Sequence, residues 1–163
     1  MLPATLSALS SFPDTLERFF DEVPERFLNW APPSWEGVPS ESLTVLEQVC
    51  HVRDIEIDGY QVRLRRMLTE PNPVLVSLDG YELAASRHYT TANPDEALAS
   101  FRVARLQTVA AIAELSEAQW SRRGSFEGHE LTVKGLVHLL CSHDQQHLAG
   151  IQWLLARIEG EAR

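Results

Sequence analysis

His143 and His147 stand four residues apart in the segment GLVHLLCSHDQQHLAGIQWLL, and this pair is the first feature of the chain that could do chemistry. On an α-helix, residues at i and i+4 lie one turn apart on the same face, so the two imidazoles can point at a common atom. A helical wheel at about 100° per residue puts both in a sector of roughly 60° that also holds Leu136, Leu140, Ile151, Leu154 and Ile158. Two polar rings aimed into an apolar stripe need partners, because burying each without one costs about 1–3 kcal/mol. Two arrangements supply them: hydrogen bonds to a pair of neutral buried rings, or one divalent metal ion that takes a nitrogen lone pair from each.

A third ligand would have to come from a facing helix, and His51 lies at the margin of the apolar face of residues 42–70. Asp54, Asp58 and Gln61 form a polar border beside it. Asp54, one turn beyond His51, could orient a ligand ring or accept a proton from water at a metal. Equally, Asp54 and Asp58 could be solvated helix residues paired with Arg53, Arg63 or Arg65. HDQQH also invites comparison with the HExxH helix of zinc proteases, but Asp144 is one methylene shorter than the Glu that serves there as general base. Asp144 is therefore expected as a hydrogen-bond acceptor behind the ligands. His138 lies about 180° from His147 on the wheel and cannot serve the same ion. His88 and His129 fall in expected loops and are assigned to the surface.

The elements that must position these residues read as four helices. Residues 14–29 carry Leu16, Phe19, Phe20, Val23 and Phe27 at helical spacing, interrupted at Pro24. Pro32, Pro33, Gly37 and Pro39 make residues 30–40 a loop. A long helix follows over 42–70, with Leu43, Leu46, Cys50, Ile57, Leu64 and Leu68 on one face, and Pro71 and Pro73 end it. Asn93 as cap, Pro94 at the first helical position and Glu96 in a capping box start a third helix that runs to about Leu115. Residues 116–120 fit one short turn, Gly124 and Gly128 mark a loop, and Thr132 caps a last helix reaching about Glu159. No strand alternation and no internal repeat stand out. The expectation is an all-α four-helix bundle, one domain over residues 1–163 with its core at about 43–158, and a long crossover loop over 71–93.

Composition narrows the function. The 163 residues are 44% hydrophobic and 23% charged, as in ordinary globular chains. A net charge of −9 repels phosphate backbones and anionic lipid, so neither nucleic acid nor a membrane is expected as a partner. No apolar run approaches the roughly 18–20 residues that span a bilayer, and MLPATLSALSSFPDTLERFF lacks a basic stretch leading into an apolar one. A cytoplasmic protein is expected, with Cys50 and Cys141 as reduced thiols.

Three passages carry a resemblance: CHVRDIEIDGYQVRLRRML (50–68), FRVARLQTVAAIAEL (101–115) and GLVHLLCSHDQQHLAGIQWLL (135–155). Together they resemble the DinB or YfiT-like superfamily of bacterial helical metalloproteins over about residues 43–158. The resemblance implies a four-helix bundle, often a homodimer, with a three-histidine metal site. Matched residue by residue, the ligands are His51, His143 and His147. Despite its name the family does not resemble DNA polymerases, in keeping with the acidic charge.

Three neutral imidazoles leave at least one open coordination position, the pattern of catalytic sites. Proteins similar to this one include transferases and isomerases that use low-molecular-weight bacterial thiols. The implied function is a metal-dependent enzyme that activates a small thiol or water for transfer or hydrolysis, with Asp54 and Asp144 as candidate catalytic residues. The alternative is a non-enzymatic metal-binding or stress-related bundle whose metal holds the fold or a dimer together. Nitrogen ligands suit zinc, nickel, copper or iron, with zinc or nickel the first expectation. An enzyme needs a pocket that reaches the metal, expected near Trp35, Tyr81 and Tyr89, whereas a shell closed by a fourth protein ligand favours the structural role.

Overall fold

The computed structural model describes residues 3–161. Helix α1 (Pro3–Asp21) is followed by a loop and by a rod in which α2 (Val45–Asp54) continues through a π-helical turn (Ile55–Tyr60) into α3 (Gln61–Thr69). Strand β1 (Val74–Leu75), the short helix α4 (Gly80–Ser86) and a 3-10 turn (Tyr89–Thr91) lead to α5 (Pro94–Ala113). Helix α6 (Glu117–Trp120), strands β2 (Arg123–Phe126) and β3 (His129–Thr132) and the long helix α7 (Val133–Glu161) complete the chain. The closest helix pairings are α2 with α5, α5 with α1, α1 with α7 and α7 with α2. The rods therefore follow one another around the bundle as α1, α5, α2 and α7, with chain neighbours α1 and α2 on a diagonal.

The local signals explain most of these boundaries. Asn93 Oδ1 accepts from Glu96 N at 3.1 Å and starts α5. Thr132 Oγ1 accepts from Gly135 N at 3.1 Å and starts α7. Thr44 and Glu47 form a capping box at α2, where Glu47 Oε2 accepts from Thr44 N at 2.8 Å.

The first helix departs from expectation. It ends at Asp21, before Pro24, and begins near the N-terminus. Pro13 lies inside it, and a proline has no N–H to give to the carbonyl four residues back. That carbonyl belongs to Leu9, and Arg105 Nη1 reaches it from α5 at 3.4 Å. A distant side chain thus serves the acceptor that Pro13 leaves open.

A small sheet is the second departure. β1 pairs parallel with β2 (Val74 with Ser125), and β2 pairs antiparallel with β3 (Arg123 with Thr132). The hairpin turns on Glu127 and Gly128, both at positive φ (51° and 80°), the two-residue turn that matches strand twist. The residues 71–93 expected as one long crossover loop hold β1, α4 and the 3-10 turn, and they join the α2–α3 rod to α5, which packs against its α2 part.

The apolar core comes in two parts. One gathers Phe12, Leu16, Leu46, Val49, Phe101, Ile151 and Leu154. The other gathers Leu9, Ile55, Leu64, Met67, Ile112, Leu136 and Leu140. On three of the four rods buried polar residues lie at the junction of these two sets: His51, Asp54 and Glu56, then Arg105, then Asp144 and His147. A polar layer thus crosses the middle of the bundle. Among the described residues no helix is long and apolar enough to cross a membrane.

Candidate metal centre

His51 projects from α2, and His143 and His147 project from the middle of α7 into the polar layer. Nε2 of His143 lies 3.3 Å from Nε2 of His51. One ring nitrogen of each histidine lies within 4.8 Å of those of the other two. Two ligand atoms held at about 2.0–2.1 Å by one tetrahedral ion stand roughly 3.3–3.4 Å apart, so the His51–His143 spacing already fits a shared ion. Burial holds all three imidazoles below the usual histidine range, His143 down to about 3, with the neighbouring rings adding to the effect at His143 and His147. Neutral rings are the form that binds metal.

Gln48, fully buried one turn before His51, fixes which nitrogen His147 presents. Its amide nitrogen has three acceptors on the loop before α2: Ser40 Oγ at 2.8 Å, and the carbonyls of Glu41 and Leu43, each at 3.2 Å. Its oxygen must then face the other way, where Nδ1 of His147 donates to it. A neutral imidazole has one N–H, so Nε2 of His147 carries a lone pair.

That lone pair meets another acceptor. Glu41 Oε2 lies 3.3 Å from Nε2 of His147, and Oε1 lies 3.7 Å from Nε2 of His51. Nε2 of His147 is buried without a hydrogen-bond donor, as is Nδ1 of His51. An imidazole lone pair set against a carboxylate is repulsive unless a cation lies between them. The donor set therefore fits a divalent metal ion.

Two glycines let the parts approach. A Cβ on Gly80, at the start of α4, would lie 2.7 Å from Cε1 of His51 and 3.0 Å from its Nδ1. A Cβ on Gly150 would overlap Ser40 Oγ, so α7 needs a glycine there to receive the loop that carries Glu41.

The two acidic candidates take other partners. Asp144 is buried and receives both Nη1 and Nη2 of Arg105, at 2.6 and 2.9 Å. Arg105 also donates to Glu56 Oε2 at 2.9 Å and lies over the Phe12 and Phe101 rings. This guanidinium thus touches all four rods. Asp54 accepts from the Tyr89 hydroxyl at 2.6 Å, Arg53 Nε at 2.7 Å and Arg87 Nη1 at 2.8 Å. Burial works to raise the Asp54 carboxyl, and Arg53, Tyr89 and Arg87 outweigh it and hold it below the ordinary range. The structure brings His51, His143 and His147 together, whereas the partners of Asp54 and Asp144 are arginines and a tyrosine. His138 sits outside the cluster near Thr5, and His88 and His129 are exposed.

Of the aromatics expected near the site, Tyr81 accepts from Ser42 N at 3.0 Å, next to Glu41. Tyr89 is buried behind Asp54, and Trp35 stacks on Trp153. Glu41 and Gln48 are the site residues that sequence reasoning missed. Gln48 had a signal, since a polar side chain on an apolar face three residues before His51 shares its side of the helix. Glu41, in a proline-rich loop, had none.

Fold and site together define a four-helix bundle with a histidine-lined centre. The chain belongs to the DinB superfamily, whose sequence profile matches residues 8–151. It is 28% identical over 110 residues to a Bacillus licheniformis protein whose name assigns it provisionally as a metal-dependent hydrolase. That match takes in 66% of this chain and spans 62% of the length of the relative. Among solved structures it resembles YfiT from Bacillus subtilis, described as a probable metal-dependent hydrolase with an unusual four-helix bundle topology. The TM-score is 0.84 at 22% identity, over 96% of this chain and 87% of that one, a likeness of fold.

Proposed function

We propose that the protein is a metal-dependent enzyme in which His51, His143 and His147 hold one divalent transition metal, zinc or nickel first, and a small molecule reacts at its open side. The observation that carries this reading is the buried lone pair of His147 Nε2 facing the Glu41 carboxylate at 3.3 Å, an arrangement a cation reconciles. The names of the two similar proteins support hydrolysis as the reaction class. A thiol substrate is the other form of the same chemistry, since both reactions begin with a nucleophile that must lose a proton.

A divalent ion bound there supplies Lewis acidity and lowers the pKa of water or a thiol that reaches it. The chain's own residues do the rest. Gln48 keeps His147 in the metal-binding tautomer, which spares the site a proton rearrangement when the ion arrives. Gly80 sets the His51 ring, and the Arg105 layer beneath holds α7 and the π-helical turn in one register. Burial first, and then the His51 ring and the charges of Arg105 and Arg63, disfavour a protonated His143, which keeps that ring neutral. The rings are buried, whereas the Glu41 side chain beside them is 36% exposed, so that carboxylate is the part of the site nearest solvent. A site edge within reach of solvent favours an enzyme over a bundle with a purely structural metal.

The test is elemental mass spectrometry on untagged protein, wild type beside His51→Ala and His143→Ala. About one transition metal per chain in wild type, lost from both variants, is the expected result. Wild type that binds no metal after reconstitution refutes the reading. Metal-loaded protein is then assayed against ester and amide substrates and for thiol transfer, with the metal-free protein as the blank.

A further inference from the structure

Among the described residues, Glu41 is the carboxylate that lies within 4 Å of ring nitrogens of His51 and His147, and nothing in the histidine pattern assigns it a role. Its oxygens reach two different ring nitrogens, His147 Nε2 at 3.3 Å and His51 Nε2 at 3.7 Å. The first distance is the spacing expected of two atoms on one tetrahedral ion, about 3.3–3.4 Å. Among the described residues its carboxylate pairs with those two rings and with no arginine or lysine.

The main chain of this segment is anchored while the side chain stays accessible. Glu41 O accepts from Leu43 N at 2.8 Å, from Ser40 Oγ at 3.1 Å and from Gln48 Nε2 at 3.2 Å. Ser42 N donates to the Tyr81 hydroxyl at 3.0 Å. The three histidines sit on rigid rods, whereas Glu41 reaches in from a loop and is 36% exposed. Charge points the same way. Three neutral imidazoles leave a divalent ion its full charge inside the bundle, near Arg105 and Arg63, and a carboxylate halves it.

We propose that Glu41 is a fourth protein ligand of the centre, exchangeable where the histidines are fixed: its carboxylate closes the site at rest and gives up its place when substrate binds. This rests on the metal-centre reading above and deepens it. When a thiol takes the place, the carboxylate–metal contact is exchanged for a thiolate–metal contact and the thiol proton passes to buffer. No electron changes hands.

The test uses full-length protein loaded with cobalt(II), whose visible spectrum reports coordination number and ligand type. Wild type, Glu41→Gln, Glu41→Ala and His143→Ala are compared for cobalt stoichiometry, affinity by chelator competition, and spectrum. The expected result is one cobalt in wild type and in both Glu41 variants, with affinity lowered roughly tenfold or more and the spectrum altered in the variants. Acetate added to Glu41→Ala restores the wild-type spectrum. 2-Mercaptoethanol produces a sulfur-to-cobalt band in both proteins and half-saturates Glu41→Ala at the lower thiol concentration. Unchanged affinity and spectrum in Glu41→Gln overturn the proposal while leaving the three-histidine centre intact. So does equal half-saturation by thiol, or no thiol band in wild type. Wild type that takes up no cobalt overturns the centre itself, and with it the proposal. Metal-free melting curves that coincide for wild type and Glu41→Gln identify an affinity loss as a ligand effect and not a folding defect.

Discussion

Replacing Gln48 by Leu removes a buried amide with little change in side-chain volume, so the effect is one of lost hydrogen bonds. His147 Nδ1–H loses its acceptor inside the bundle, worth about 1–3 kcal/mol. The Ser40 hydroxyl and the Leu43 carbonyl lose a donor, worth about 0.5–1.5 kcal/mol each, while Glu41 O keeps its contacts with Leu43 N and Ser40 Oγ. The sum is about 2–6 kcal/mol, a fall in Tm of roughly 4–24 °C for a chain of this size. Metal affinity should also drop about 10- to 100-fold, because the His147 ring is no longer held in its ligand tautomer. Gln48→Glu separates the two jobs. A carboxylate still accepts from Nδ1 and sustains metal affinity, yet it cannot donate to the loop, so the metal-free protein is destabilised. Thermal unfolding in chelator gives the first quantity and competition with a chromophoric chelator the second. A folded Gln48→Leu protein with wild-type metal affinity would refute the tautomer argument.

Arg105→Met leaves Glu56 and Asp144 buried without their cation, and the expected loss is about 3–5 kcal/mol, read as a Tm fall of roughly 6–20 °C. Adding Glu56→Gln and Asp144→Asn should recover much of it, and a single variant that melts with wild type would mean the ion cluster does not hold the layer. Gly80→Ala drives a methyl group against the His51 ring, so it should weaken metal binding with little change in metal-free stability; unaltered affinity would show that the ring has room to move. Metal-free protein should lose stability on acidification. The folded state depresses the pKa of all three imidazoles, so their contribution is complete above the unfolded value of 6.5. It is lost as pH falls below that, at about 1.4 kcal/mol per pH unit for each histidine. Urea unfolding at about pH 7 and about pH 5 checks the sign, and stability that is flat or higher at the lower pH would contradict it.

The histidine pair was legible because a period of four on an apolar stripe is a local pattern, and α5 and α7 were legible because Asn93 and Thr132 are local caps. The first helix was misread for a tertiary reason. Pro13 looks like a breaker until Arg105, far along the chain, is seen to serve the Leu9 carbonyl. Ser10 and Ser11 lie before the start expected at residue 14, yet their hydroxyls, like that of Thr15, donate back to carbonyls within the helix. The strands are too short for alternation to register, and Glu127–Gly128 is a weaker hairpin signal than Asn–Gly. At the site, spacing singled out the histidine pair on α7 and was blind to Glu41 on a loop. The pairing of Asp54 with its neighbour Arg53 was among the sequence alternatives, whereas Arg87 and Tyr89 at Asp54 and Arg105 at Asp144 are partners no local pattern connects to them.

The π-helical turn at Ile55–Tyr60 has a consequence for comparing this chain with its relatives. A wide turn of this kind takes up one residue more than an α-helix of equal rise, so the residues beyond it sit about 100° from where a plain helix of the same residue count would put them. The rod is in effect two helices phased to different clients: Gln48 and His51 face α7, while Gln61 donates to the Ala104 carbonyl on α5 and Arg63 to the Val76 carbonyl beside the sheet. A relative one residue shorter within this stretch can keep both sets of contacts in phase as a plain α-helix, whereas one of equal length without the wide turn cannot. A single-residue gap there is therefore a marker, visible in sequence alone, of a relative whose rod runs straight from the histidine end to the sheet end.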